Sequence, residues 1–144
     1  MAVNTVDRRE SRVEFDRVYF RVYDDAMKII QNNFGASKEI REERKGYIAV
    51  MSDRVLKSVT DLGTHIRIAN SIFPKYRSEL EERRLEQEKA IGLCYDLLTK
   101  YQLTMTYLKV KDNKYVQEIK NLSHEINCLK RWRDSDRKRF SDLG

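Results

Sequence analysis

The sequence predicts an all-α protein, an up-down-up-down antiparallel four-helix bundle formed as one domain over residues 1–144. Turn formers are scarce, since the chain has five Gly and one Pro, and a β-protein would need more of them. Charged residues make up 36% and hydrophobic residues 40%, a balance that suits amphipathic helices. Apolar residues recur at steps of three and four in four segments with short connections, which indicates a bundle.

The first two helices are predicted over 12–33 and 38–72. The stripe of the first consists of Phe15, Val18, Tyr19, Val22, Tyr23, Ala26, Ile29 and Ile30. Gly35 suits the left-handed conformation that ends many helices, and Ser37 can cap the next one. The second stripe consists of Ile40, Tyr47, Met51, Val55, Val59, Leu62, Ile66 and Ala69. We expect Gly46 and Gly63 to allow close helix contacts.

The third and fourth helices are predicted over 75–108 and 113–138. The third has a core stripe of Ile91, Cys94, Leu98, Tyr101, Met105 and Leu108, broadened by Leu80, Leu85 and Leu97. Its charged first half, SELEERRLEQEK, is expected to be solvated on most of its circumference. The fourth stripe, Tyr115, Ile119, Leu122, Ile126 and Leu129, fades at Trp132 and Arg133. We expect residues 1–10 and 140–144 to be loosely held.

Composition also bears on location and partners. The two cysteines are too few for a disulfide framework and indicate reduced, buried thiols. No apolar run approaches the ~20 residues of a membrane span, and the N-terminus lacks an apolar signal core, so a cytoplasmic location is expected. The net charge is +6. The excess lies in residues 38–75, with eight basic and five acidic side chains, and in residues 109–144, with ten and six.

Metal and catalytic sites have little support. A di-iron bundle needs Glu three residues before His, but Leu62 precedes His65 and Asn121 precedes His124 at that spacing. His124 and Cys128 share a helix face, so a two-ligand metal site is conceivable, although a His beside a buried Cys is the plainer interpretation. Neither a nucleophile motif nor a Gly-rich phosphate loop is present. We therefore expect no enzyme activity, no metal and no cofactor.

The two basic segments are candidates for phosphate binding, because guanidinium groups bind phosphates bidentately and ammonium groups add point charge. An ordinary solvated helix face is the alternative. Nothing resembles a module that reads bases, so binding would depend on shape and charge. The candidate nucleic-acid-binding residues are Arg41, Arg44, Lys45, Arg54, Lys57, Arg67, Lys120, Lys130, Arg131, Arg133 and Arg137.

Two stretches carry a family resemblance that covers roughly residues 13–133. In LGTHIRIANSIFPKYRSEL, Ile68-Ala69-Asn70 ends one helix, and Arg77 and Leu80 open the next. In DNKYVQEIKNLSHEINCLKRW the matching residues are Tyr115, Leu122, Glu125-Ile126 and Trp132. The chain thus resembles the accessory variability determinant (Avd) proteins of diversity-generating retroelements. It departs from them at Lys130-Arg131, where the family commonly has Gly-Gly, and at Asn33-Phe34-Gly35-Ala36, where the family often has a Pro with nearby Arg.

The resemblance implies a noncatalytic, homopentameric protein that binds the retroelement's reverse transcriptase and its template RNA, or an RNA/DNA hybrid, to support mutagenic cDNA synthesis. One alternative is a structural protein-interaction bundle without nucleic-acid binding. Another is the related type of bundle encoded in ribosomal-RNA intervening sequences.

Overall fold

A computed structural model describes the backbone of residues 5–144 and the side chains from Glu14 onward. The chain is all-helical, with four long helices that pack together and no strand within this range. The order of elements is α1 (Thr5–Gln31), a 3-10 turn (Asn33–Gly35), α2 (Lys38–Glu43), α3 (Lys45–Ser71), α4 (Arg77–Tyr107) and α5 (Val116–Arg139). Of the ends expected to be loose, residues 1–4 lie outside the described residues.

The corner after α1 is built from left-handed backbone. Asn33, Phe34 and Gly35 have φ angles of 53°, 58° and 83°. Gly35 adopts this conformation without steric cost, as its position in the sequence predicts. Phe34 is held there by complete burial of its side chain. Ser37 then caps α2, since its hydroxyl accepts a hydrogen bond from the Ile40 backbone N–H at 3.3 Å.

The predicted second helix is divided in two. Arg44, with φ −110° and ψ 23°, leaves helical dihedrals between α2 and α3. Gly46 lies two residues later, and its low helix propensity, about 1 kcal/mol below that of Ala, weakens the helix at this point. The break places the Arg44 guanidinium 4.6 Å from the ring centroid of Tyr107 at the end of α4.

The two glycines of α3 behave differently. The Tyr19 side chain from α1 lies directly over Gly63, where any Cβ would overlap its hydroxyl, and this hydroxyl donates a 2.9 Å hydrogen bond to the Val59 carbonyl. The close contact expected at Gly63 is therefore confirmed. The expectation for Gly46 is wrong, because nothing lies within 4 Å of a Cβ there.

Each long helix packs against two others. α3 contacts α1 and α4, and α5 contacts α1 and α4, so the four surround one core. Direct contacts between α3 and α4 include His65 with Glu86 and Ser58 Oγ with Asp96 Oδ2 at 2.7 Å. The largest fully buried apolar or aromatic side chains of the core are Tyr101, Phe34, Ile29, Leu62, Leu97, Leu108, Leu122 and Leu129. Both cysteines are free and buried, as the composition predicted.

The C-terminal residues fold back onto the start of α4. Arg77 donates from its backbone N–H to the Gly144 carbonyl at 2.9 Å and from its guanidinium to the Leu143 carbonyl at 3.1 Å. The expectation of a loose end at 140–144 overlooked these contacts. Within residues 5–144, none of the helices has the length and apolar character that crossing a bilayer requires.

Candidate functional site

The phosphate-binding residues predicted in the basic segment 38–75 lie at and beyond the α2–α3 break. Arg41 and Lys45 are exposed on either side of it, and Arg44 lies half-buried over Tyr107. Along α3, Arg54 and Arg67 are exposed, as is Lys57, whose ammonium is paired with Asp61 at 2.8 Å. These six residues thus extend along α2 and α3 and do not form one cluster.

The predicted residues of α5 divide between different surroundings. Lys120 is exposed in the first half of the helix. Lys130 donates a 2.8 Å hydrogen bond to the Tyr95 hydroxyl and lies over that ring. Arg131 is exposed near Glu14 and Cys128. Arg133 and Arg137 both approach Asp134, at 3.2 Å and 3.9 Å.

Arg133 and Arg137 line a cleft between the last turns of α5 and the first turns of α4. We call it the arginine cleft. It has a volume of about 330 Å³, and its charged lining comprises Arg77, Arg84, Arg133, Arg137, Glu81 and Asp136. Because four guanidinium groups face two carboxylates, the cleft has an excess of positive charge. Phe140 adds an aromatic ring to the wall.

The cations of the arginine cleft differ in how far they are neutralised. Arg84 lies between Glu81 at 2.8 Å and Glu88 at 3.4 Å. Arg77 binds a backbone carbonyl instead of a carboxylate. Arg133 and Arg137 share the single carboxylate of Asp134. Guanidinium groups held in this way keep donors available for the oxygens of a phosphate.

Asp136, whose carboxylate lines the cleft, belongs to a buried ion pair. Arg83 donates to both carboxylate oxygens of Asp136, at 2.7 Å and 3.2 Å, and Gln87 donates to the same carboxylate at 2.7 Å. Arg83 also donates to the Ile72 carbonyl at the end of α3, at 2.9 Å. These contacts join α3, α4 and α5, and they hold the last turns of α5 in place.

A second cleft, of about 480 Å³, lies on the other side of Asp136, and we call it the Trp132 cleft. Its wall includes Arg83, Arg131, Trp132, Arg139, Phe73 and Glu14. Trp132 stacks on Phe15 of α1 with ring centroids 4.1 Å apart, and Arg83 lies 5.1 Å from the Trp132 ring centroid. Trp132 therefore packs between α1 and α4 and is partly buried.

The buried carboxyl of Glu125 lies next to this region on α5. Its side chain is fully buried, and neither oxygen has a hydrogen-bond partner within the described part of the chain. Burial, together with the negative charges of Asp16 and Glu14, raises the pKa of Glu125 to about 9. Burial also raises the pKa of the Cys94 thiol on α4. Both groups are therefore protonated at neutral pH, and the Cys94 thiol is a poor nucleophile.

Sequence reasoning missed the contribution of α4. Segment 76–108 is slightly acidic as a whole, so its arginines were not candidates. Arg77 and Arg84 are seven residues apart, and two helical turns place them on one face. This seven-residue spacing was the sequence feature that could have indicated two arginines on one face of α4.

The predicted basic groups are far apart. Arg44 lies over Tyr107 at the end of α4, whereas Arg133 and Arg137 share a cleft with Arg84 near its start. At 1.5 Å per residue, the 23 residues from Arg84 to Tyr107 span roughly 35 Å. The basic residues at the α2–α3 break and those of the arginine cleft are therefore two separate surfaces.

Comparisons of the chain with protein-family models, with curated proteins and with solved structures find no match.

Proposed function

We propose that this chain is a noncatalytic accessory protein of a diversity-generating retroelement, which holds the reverse transcriptase and its template RNA, or an RNA/DNA hybrid, during mutagenic cDNA synthesis. The observation that carries the RNA-binding part is the arginine cleft, where α4 and α5 bring Arg77, Arg84, Arg133 and Arg137 together. The family part rests on the resemblance of residues 13–133. In this proposal the protein acts in the cytoplasm as a homopentamer, without membrane association.

The proposal includes an up-down-up-down antiparallel order of the four long helices. Contacts between α1 and α5 support it, since Phe15 stacks on Trp132 and Asn121 binds Asp25 at 2.8 Å. Between α3 and α4, Tyr47 contacts Tyr107 whereas His65 contacts Glu86. In both pairs of helices, later residues of one contact earlier residues of the other, which is the relationship of antiparallel neighbours.

The arginine cleft suits a phosphate backbone for three physical reasons. Its guanidinium groups are permanently charged and can bind phosphate oxygens through paired N–H donors. The buried Arg83–Asp136 pair fixes the last turns of α5, which carry Arg133 and Arg137, so the backbone of the cleft is preorganised. Phe140 supplies a ring against which an unstacked base can pack.

RNA affinity measured against salt tests the proposal. Each phosphate neutralised on a single strand contributes about −0.7 to the slope of log K against log salt concentration. We expect the Arg133→Glu, Arg137→Glu double variant to bind a structured template RNA more weakly and with a slope shallower by about 1–2. Helicity should be unchanged, because Arg137 is exposed and the partly buried Arg133 pairs with the exposed Asp134 of the same helix.

The matched control is the Lys109→Glu, Lys111→Glu variant, which makes the same change in net charge at the other end of α4, where both lysines are exposed. The control should retain the affinity and slope of the unchanged protein. Absent binding at low salt, or binding without salt dependence, would show that phosphate contacts are not involved. Equal losses in the two double variants would show that net charge, and not the arginine cleft, drives the binding.

A protein-interaction bundle without nucleic-acid binding is the second candidate. It is favoured by two exposed aromatic side chains in the α3–α4 connection, Phe73 and Tyr76, with relative exposures of 72% and 66%. Polymerase capture that persists after nuclease treatment, combined with no measurable RNA affinity, would support it. A neighbouring reverse-transcriptase gene and an adenine-mutable repeat pair would support the retroelement function, whereas a ribosomal-RNA operon would support the intervening-sequence type of bundle.

A further inference from the structure

Three potential metal ligands of different chemistry converge where α1 meets α5. They are the Glu14 carboxylate, the His124 imidazole and the Cys128 thiol, and their ligand atoms all lie within 4.8 Å of one another. We propose that Glu14, His124 and Cys128 bind one divalent transition-metal ion, and that Zn²⁺ matches this donor set best. Carboxylate, imidazole and thiolate are the three ligand types that Zn²⁺ takes in proteins. The site is separate from the arginine cleft and does not depend on the proposed function.

The local fold accounts for the convergence. His124 and Cys128 are four residues apart on α5, so both point to one face of that helix. Glu14 comes from α1, which packs along the same face, as the stacking of Phe15 on Trp132 shows. His124 Nε2 is already 3.2 Å from Glu14 Oε1.

The distances fit a tetrahedral ion after a small adjustment. Bond lengths of about 2.0–2.3 Å in a tetrahedron place neighbouring donor atoms roughly 3.3–3.7 Å apart. The Glu14–His124 contact is already within about 0.1 Å of this range. The remaining donor pairs must approach by about 1.5 Å at most, given their 4.8 Å limit. The side chains of Glu14 and His124 are 40% and 43% exposed, so both have room to rotate.

The ligands can supply two negative charges to a divalent ion. With Glu14 ionised and Cys128 as a thiolate, the two negative ligands would neutralise a divalent ion, and His124 would bind as neutral imidazole. The Arg131 guanidinium already lies beside this group, 3.8 Å from Glu14 Oε1 and 3.5 Å from Cys128 Sγ. The Arg131 side chain is 65% exposed, so an ion can displace it into solvent.

The protein supplies three ligands, so a fourth position is left for water. Glu14 and Cys128 both line the Trp132 cleft, which gives solvent access to that position. On binding, a metal–sulfur bond forms, the S–H bond of Cys128 breaks and its proton leaves to solvent. The ion would join α1 to α5 and would stabilise the folded chain by mass action.

Metal titration tests the proposal. Zn²⁺ affinity is measured by competition with a chromophoric chelator, and Co²⁺ serves as a spectroscopic substitute. We expect one ion per chain, a tetrahedral Co²⁺ spectrum and a thiolate-to-cobalt charge-transfer band. Cys128→Ala should abolish that band, whereas Cys94→Ala should keep it.

Histidine variants give a second, matched comparison. His124→Ala should weaken Zn²⁺ binding by more than about 100-fold, since even residues that only orient a ligand contribute about 10–100-fold to metal affinity. His65→Ala is the control, because His65 contacts Glu86 on the other side of the bundle. Circular dichroism and unfolding of the metal-free proteins show whether each variant folds.

Arg131→Gln keeps all three ligands and removes the competing cation, so it tests the site without disturbing it. We expect Zn²⁺ to bind this variant about fivefold more tightly, the effect of an exposed charge at close range. The proposal is overturned if the unchanged protein gives a Co²⁺ spectrum without a thiolate band. It is also overturned if Arg131→Gln and His124→Ala both leave the Zn²⁺ affinity unchanged.

Discussion

Arg83 of α4 and Asp136 of α5 form a two-point hydrogen-bonded ion pair at 2.7 Å and 3.2 Å, and both residues are buried, with 5% and 2% relative exposure. Arg83 also binds the Ile72 carbonyl and lies against Trp132, which stacks on Phe15 of α1. One guanidinium therefore connects directly to α5 and the end of α3, and through an aromatic stack to α1.

Removing the Asp136 carboxylate should destabilise the protein severely. Asp136→Ala leaves the buried Arg83 charge without its partner, and such a loss costs about 3–5 kcal/mol in the free energy of unfolding. Denaturant unfolding monitored by circular dichroism measures this change. The control is Asp134→Ala on the same helix, whose carboxylate is exposed and which should change stability by less than about 1 kcal/mol. Equal effects from the two variants would show that the ion pair contributes no more than a surface contact.

Alanine substitutions at the two glycines of α3 should have opposite signs. Gly46→Ala should stabilise the protein by about 0.5–1 kcal/mol, because nothing obstructs the new methyl group and Ala favours the helix. Gly63→Ala should destabilise it by about 1–3 kcal/mol, because the methyl group must displace the Tyr19 side chain from its hydrogen bond to Val59. Thermal unfolding of both variants provides the measurement. In a Tyr19→Ala background, the Gly63→Ala change should become stabilising, and a persistent loss there would place the obstruction elsewhere.

The buried Glu125 carboxyl should make stability fall with rising pH. Its pKa is about 9 in the folded chain against 4.5 as an ordinary carboxyl, so above pH 4.5 the unfolded chain releases a proton that the folded chain retains. The stabilisation that the protonated Glu125 carboxyl gives to the folded chain is fully present below pH 4.5 and is lost as the pH rises through about 9. Glu125→Gln should match the unchanged protein at pH 4.5 and exceed its unfolding free energy by about 3 kcal/mol at pH 7.

Unfolding curves from pH 4.5 to 9, recorded with a chelator present, measure the effect of Glu125→Gln. Glu118→Gln is the comparison, since Glu118 is also buried on α5 but lies 4.0 Å from the ammonium of Lys28. It should show no comparable gain at neutral pH. If the unfolding free energies of Glu125→Gln and the unchanged protein differ by the same amount from pH 4.5 to 9, the raised pKa is contradicted.

Much of the fold follows from periodicity, because apolar residues at steps of three and four report directly on which helix face is buried. Phe15, Val18, Val22, Ala26 and Ile29 are buried as their spacing predicts, and the α5 stripe holds from Tyr115 to Leu129 except that Ile119 is only partly buried. The predicted stripe holds only in part in the first half of α4, where Leu80 is buried. Leu85, expected to broaden the stripe, is 52% exposed.

Two polar residues in that half of α4 are buried, although polar residues are usually exposed. Arg83 and Gln87 were expected to be solvated with the rest of SELEERRLEQEK, yet both are buried. Their burial depends on Asp136, which lies about fifty residues later in the chain and which local periodicity cannot connect to them. The arginine cleft was only half predicted for the same reason, since its α5 residues are in a basic segment and its α4 residues are not.

The left-handed corner at Asn33, Phe34 and Gly35 sets a demanding sequence requirement. A Cβ at position 35 would meet Lys114 and Tyr115 at 3.0–3.1 Å, so neither the backbone nor the space there suits another residue. The preceding position needs a large apolar side chain, because burial of Phe34 offsets the steric cost of its backbone. Surface charges can change without loss of this architecture, but the Phe-Gly pair followed two residues later by a capping Ser cannot. This short corner therefore tolerates fewer substitutions than the helix faces on either side of it.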